Sequence, residues 1–207
     1  LDNGKLNWTG KVIINRNKLT LPLSWRKPRL VFVNSLSDLF HESVPLETRD
    51  KAMVVMALTP RHYYQVLTKR PQEALGYFLQ RNNYLSKAEG FQPLNLQARW
   101  ATHLATVAEQ WLGEIHGKRV HKTIMDDNTP SLNTGWPLRN LGLGVSAGTQ
   151  KTLDTMLPIL EQIPARLRFV SIEPLLEEVM VTEHLVNNKI GWIIIGGESQ
   201  HSARPFD

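Results

Sequence analysis

Five short apolar runs dominate this chain: Leu30 to Val33, Tyr63 to Leu67, Leu141 to Val145, Arg168 to Ile172 and Trp192 to Ile195. Each stops at a polar or charged cluster, and most are followed by a stretch with helical spacing. Runs of this length without alternation fit parallel strands buried on both faces. Pro45 to Leu58 reads as a helix, with Pro45 in its first turn and Ala52, Met53, Val55 and Met56 on one face. A second helix is predicted from Pro71 to about Gln80, and a third from a Thr149 cap to about Ile163. Strand, polar loop and helix in repetition imply right-handed βαβ units and a parallel sheet. In such folds the ligand site lies at the C-terminal ends of the strands, where the polar clusters fall.

The rest is less regular. Trp8 to Ile14 reads as a small strand or an arm, and Leu21 to Pro28 as an irregular connection or a short helix ending before Pro28. Residues 81–135 fit no βα unit and are expected to be a helical insertion. Its best helix runs from Asn95 to Ile115, where Leu96, Trp100, Leu104, Val107, Trp111 and Ile115 recur at three- and four-residue spacing. Asp126 to Ser131 reads as a loop, and Glu183 to Val186 as a link or helical turn.

Composition removes several classes of function. Of the 207 residues 42% are hydrophobic and 21% charged, as in a folded globular protein. The chain has no cysteine, so its own residues can form no disulfide, zinc–thiolate site or cysteine-held iron–sulfur cluster. Its longest apolar run, Ile190 to Gly197, is far short of the roughly 20 residues of a membrane span. With no signal peptide visible, the expectation is a cytoplasmic protein without a membrane partner. The net charge of +5 favours phosphate-bearing partners without specifying one.

Each cluster admits a functional and a structural reading. Asn34, Ser35, Ser37 and Asp38 could hold an ammonium or hydroxyl group, but such residues equally form turns and cap helices. Thr68, Lys69 and Arg70 suit a carboxylate or phosphate, or form a solvated loop. Ser146 and Gly148 precede a helix N-terminus that could approach an anion. Glu173 could face the same mouth as Lys69 or sit in an internal ion pair, and Gly196, Gly197 and Glu198 allow close backbone approach. Gly142 and Gly144 do not make a dinucleotide fingerprint, because they lie within a strand and the third glycine is missing. No metal-ligand spacing stands out among the seven histidines.

The ordered set Val31 to Phe40, Gln65 to Pro71, Leu143 to Ser146, Phe169 to Leu176 and Ile195 to Ser199, with Ala203-Arg204-Pro205, resembles a phage- and prophage-encoded protein family of unknown function. That family in turn looks like the radical S-adenosylmethionine (SAM) enzymes, nearest to the spore-photoproduct-lyase type. The resemblance implies a partial TIM-like (β/α) barrel of parallel strands. It would be one core over residues 1–207, incomplete at both ends, with 81–135 inserted. It implies that Asn34, Ser35, Ser37 and Asp38 hold the amino group of SAM. Thr68, Lys69, Ser146 and Glu173 would add contacts, and Gly196, Gly197 and Glu198 would line the adenosine or substrate. If the substrate is nucleic acid, Lys69, Arg70 and Arg204 become the phosphate contacts.

The radical chemistry of such enzymes needs a four-iron four-sulfur cluster held by three thiolates from a loop upstream of the SAM-binding strands. Those thiolates are missing from this chain. It starts at Leu1 and ends at Asp207 soon after its fifth strand, so the expectation is that the cysteine loop lies outside it. The alternative is a non-catalytic phage accessory protein that binds a host protein or nucleic acid, with Trp100, Trp111 and Trp136 on the partner surface.

Overall fold

The computed structural model of the chain describes residues 12–87, 96–126, 135–181, 187 and 189–198. Eleven elements follow one another: α1 (Arg16–Ser24), β1 (Leu30–Val33), α2 (Leu46–Leu58), β2 (Tyr63–Thr68), α3 (Pro71–Lys87), α4 (Leu96–Leu112), α5 (Glu114–Met125), β3 (Leu141–Ser146), α6 (Gln150–Leu160), β4 (Leu167–Ile172) and β5 (Trp192–Ile195). The five strands form one all-parallel sheet in the order β1-β2-β3-β4-β5.

Sequential order with parallel strands has a geometric consequence. If each crossover is right-handed, every connecting helix falls on the same side of the sheet. The burial pattern agrees. Val31, Val33, Tyr64, Val66, Leu141, Leu143, Val145, Val170 and Ile172 pack into one core with the apolar faces of the helices. The alternate strand residues point to the other side. There Leu30 is 68% and Phe32 45% exposed, and Phe169 is fully buried but stands outside that helix-side core.

The parallel α/β expectation therefore holds, but the sheet is open, with β1 and β5 at its edges. Five strands do not close a cylinder that takes about eight when filled by side chains. The expectation for β1 is corrected too. Its apolar run predicts a strand buried on both faces, whereas β1 is an edge strand with one face uncovered.

α2 is buried nearly all round, from Ala52 to Leu58, because it lies between other helices and the sheet. α3 runs to Lys87, past the predicted end near Gln80. The single helix predicted from Asn95 to Ile115 is two, α4 and α5. Gly113, at φ +97°, turns the chain where only glycine adopts the backbone at no steric cost. The two helices then lie close together, since a Cβ at Gly117 would come within 2.9 Å of the Ala105 carbonyl.

This helical pair packs on α2 and α3. Trp100 is fully buried and stacks on Trp136 at 4.3 Å, while Trp111 and Trp136 are partly buried against the same core. Trp100 is thus a core residue, not part of an exposed tryptophan surface, because its ring fills the gap between the insertion and α3. Trp8, Glu183 to Val186, Ser199 and Arg204 lie outside the described residues.

Candidate functional site

Since the strands are parallel, the loops after all five emerge at one edge of the sheet. Contacts join the sequence-predicted residues there into two groups.

The first group ties β1 to β2. A turn after β1, with Asn34 at φ +59°, brings Asp38 back over the end of β2. Both Asp38 carboxylate oxygens accept from the Thr68 hydroxyl, at 2.9 Å each. They also accept from the backbone N–H of Phe40 and of Lys69. Arg70 stands 3.5 Å away, and Thr68 Oγ1 accepts from its backbone N–H. Asp38 is therefore already occupied by its own protein and sets the positions of the two loops. Asn34, Ser35, Ser37 and Lys69 are exposed beside it.

The second group ties β3, β4 and β5. The loop after β4 passes between its neighbours and is stitched to both by main-chain bonds. Leu176 N–H donates to the Gly148 carbonyl, and Leu175 N–H to that of Gly196. Ala147 N–H donates to Ser171 and Gly196 N–H to Ile172. A side chain at Gly148 would strike the Pro174 carbonyl at 2.7 Å, and one at Gly196 would overlap the Glu173 carboxylate. Glu173 is exposed, accepts from the buried Ser171 hydroxyl at 3.0 Å, and is joined to Pro174 by a cis peptide. Gly197 and Glu198 follow at the end of β5, half-buried.

With strands about 4.8 Å apart, β2 and β5 stand about 14 Å from each other along this rim. The rim is thus one edge carrying two built clusters. Lys69 and Glu173 are not in contact in an ion pair among the described residues.

The turn before α6, expected to approach an anion, already carries a carboxylate of the protein itself. Thr149 caps this helix as predicted, in a reciprocal pair with Thr152. The free N–H of Gln150 donates to Glu177 Oε1 at 2.7 Å, so the protein's own carboxylate takes the place of an anion.

Below the rim, on the side away from the helices, lies a row of rings that sequence reasoning missed. Gly144 pairs with Phe169, and a Cβ at Gly144 would stand 2.5 Å from that ring. Tyr63 lies over Gly142 in the same way, and Trp192 packs on Phe169 at 5.3 Å. Ser146 and Ser171 are register partners just above these rings. The signal was present in the sequence. Gly142, Gly144 and Ser146 alternate along β3, as do Phe169, Ser171 and Glu173 along β4, so both sets share one face.

A second feature missed from sequence is a buried ionic knot within the helical layer. Asp50 on α2 accepts from Tyr77 Oη at 2.9 Å and from Arg81 through two nitrogens, with His103 Nε2 of α4 at 3.2 Å. Burial and the neighbouring Asp50 charge push the Tyr77 phenol well above its ordinary range. Widely spaced residues on three helices leave no local signature.

Among the described residues no cluster of three His, Asp or Glu side chains could hold a metal ion, and no helix is long and apolar enough to cross a membrane. Compared with known proteins, residues 2–207 match a family described as a protein of unknown function. No curated protein and no solved structure matches.

Proposed function

This chain belongs to the DUF5131 family of proteins of unknown function, and we propose that its sheet rim is the ligand site of a radical-SAM-like core that binds S-adenosylmethionine. The observation that carries this reading is the stitched second cluster. Main-chain bonds hold the loops after β3, β4 and β5 together, and over them Glu173 presents a carboxylate beside a row of aromatic rings. A carboxylate on a fixed backbone platform suits the ribose hydroxyls or the positive groups of such a ligand. In this reading Glu173 and Ser146 contact the ligand, with Gly196 and Gly197 giving it backbone approach. Lys69 faces its carboxylate. Asp38 acts at one remove by fixing the Lys69 loop, since its oxygens are already engaged. The open sheet would then be part of a (β/α) barrel.

The residues of this chain do not fit the four-iron four-sulfur cluster of radical SAM chemistry, because none of them is a cysteine. Cleavage of SAM by that route has no ligand set within these 207 residues. The same lack of thiolates favours a second reading, a core that binds its ligand or a partner protein without cleaving SAM.

Calorimetric titration with SAM, and with S-adenosylhomocysteine, tests the site. Binding by the wild-type protein should weaken about tenfold or more in Glu173→Gln, the loss expected of a hydrogen bond to a charged group. Gly196→Ala should weaken it as well by displacing the carboxylate. If the folded wild-type protein binds neither compound, the proposal is wrong. Reconstitution of a longer chain bearing upstream cysteines would separate enzyme from binder.

A further inference from the structure

The opposite edge of the sheet carries a basic patch that the rim site does not use. Residues 12–37 contain five cations and not one Asp or Glu. Three of the five, Arg26, Lys27 and Arg29, fall in the connection that enters β1, and all three are exposed. Arg61, from the connection entering β2, is exposed beside them.

Contacts fix Arg29 and Arg61 around Trp25, and Arg26 and Lys27 follow Trp25 directly in the chain. The Arg61 guanidinium donates to the Trp25 carbonyl through Nε at 2.8 Å and Nη2 at 2.6 Å. The Arg29 guanidinium lies over the Trp25 ring, 4.7 Å from its centre. The Arg29 carbonyl accepts from Tyr63 N–H, pinning the two connections side by side. Beneath them His62 is buried, edge-on to Trp25 and within bond distance of the Pro22 carbonyl at 3.2 Å. Its imidazole is pushed down first by burial, with the Arg61 and Arg29 charges adding to the effect.

We infer that this patch, Arg26, Lys27, Arg29 and Arg61 around Trp25, is a docking surface for the phosphodiester backbone of a nucleic acid. Three of the four cations are guanidiniums, whose planar forks match phosphate oxygens. Arg29 and Arg61 are pre-set by the Trp25 ring and carbonyl, so they lose less freedom on binding than untethered side chains. Arg26 to Arg29 spans at most about 10 Å of chain, which fits contacts to successive phosphates of one strand. A second exposed basic run among the described residues, Lys118, Arg119 and Lys122 on α5, lacks these features. Its Lys118 is already paired with Glu114 at 2.6 Å, and Glu109 of α4 packs beside Gly117. The patch stands at the far end of the strands from the rim and does not depend on what the rim binds.

Fluorescence anisotropy with labelled single-stranded polythymidylate and with a labelled duplex tests this. The Arg26→Glu/Lys27→Glu protein should bind at least about tenfold more weakly than wild type at low salt. Its slope of log affinity against log salt should shrink by about 1.4 for the single strand or about 1.8 for the duplex, the share of two phosphate contacts. Lys118→Glu/Arg119→Glu makes the same change in net charge and should leave binding near the wild-type value. Circular dichroism melts establish that both variants fold. Three results would overturn the inference: no binding by wild type, equal weakening by the two variants, or preferential binding to anionic phospholipid vesicles that the first variant abolishes.

Discussion

Removing the charge of Asp50 should cost this protein more than almost any other conservative exchange. In Asp50→Asn the side-chain volume is kept, but an amide replaces a carboxylate that accepts from Tyr77 and from two nitrogens of Arg81, with His103 Nε2 3.2 Å away. The Asp50 and Arg81 side chains are 3% and 15% exposed, so water offers little compensation to the guanidinium left behind. Breaking a buried pair by removing one partner costs about 3–5 kcal/mol. That compares with a total folding stability of about 5–15 kcal/mol. At about 2–4 °C per kcal/mol for a chain this long, the melting temperature should fall by about 6–20 °C. Thermal and urea unfolding followed by tryptophan fluorescence would read this directly, since the Trp100 ring lies 6.1 Å from that of His103. The companion variant Asp50→Leu/Arg81→Met removes both charges and should recover most of the loss, because an apolar pair leaves no charge stranded. A drop of less than about 1 kcal/mol in Asp50→Asn, or a double variant no better than the single, would refute the picture of a dry knot.

Three further outcomes follow from the same structure. Gly144→Ala should lose about 1–3 kcal/mol in chemical denaturation by pushing the Phe169 ring aside, and Phe169→Leu in that background should return part of it. Thr149→Ala should cost about 1 kcal/mol of stability by removing the cap of α6. Stability should decline as pH rises above 10. The Tyr77 phenol is held neutral in the folded state by burial and the Asp50 charge, while the unfolded phenol ionises at its ordinary 10.0. The folded protein thus keeps a proton that the unfolded chain gives up, and phenolate absorbance against unfolding curves would show whether Tyr77→Phe flattens that decline.

The sheet was legible because each strand is a short apolar block with a polar stop, a pattern that depends on a few neighbouring residues. All five strands and their parallel direction follow from it. Edge status was not legible. Leu30-Val31-Phe32-Val33 reads like any buried strand, and only the neighbours it lacks expose it. Gly113 was the overlooked clue in the insertion, where a continuous apolar period masked a left-handed backbone. At the rim, position in sequence placed Asp38 and Glu173 on the correct edge. It could not show that Asp38 is consumed by Thr68 and Lys69, while Glu173 stays exposed over a missing side chain at Gly196. The Asp50 knot was invisible, since Asp50, Tyr77, Arg81 and His103 share no local motif.

The stitching of the rim has a consequence for how such a protein can change. Its loops are held by amide and carbonyl groups that every residue type supplies, with glycine needed only where the chains touch at Gly148 and Gly196. If the rim binds a ligand as proposed, exchanges at Ser146, Ser171 or Glu173 would alter what is recognised without moving where it is held. Relatives could diverge in preference while keeping one unaltered cradle.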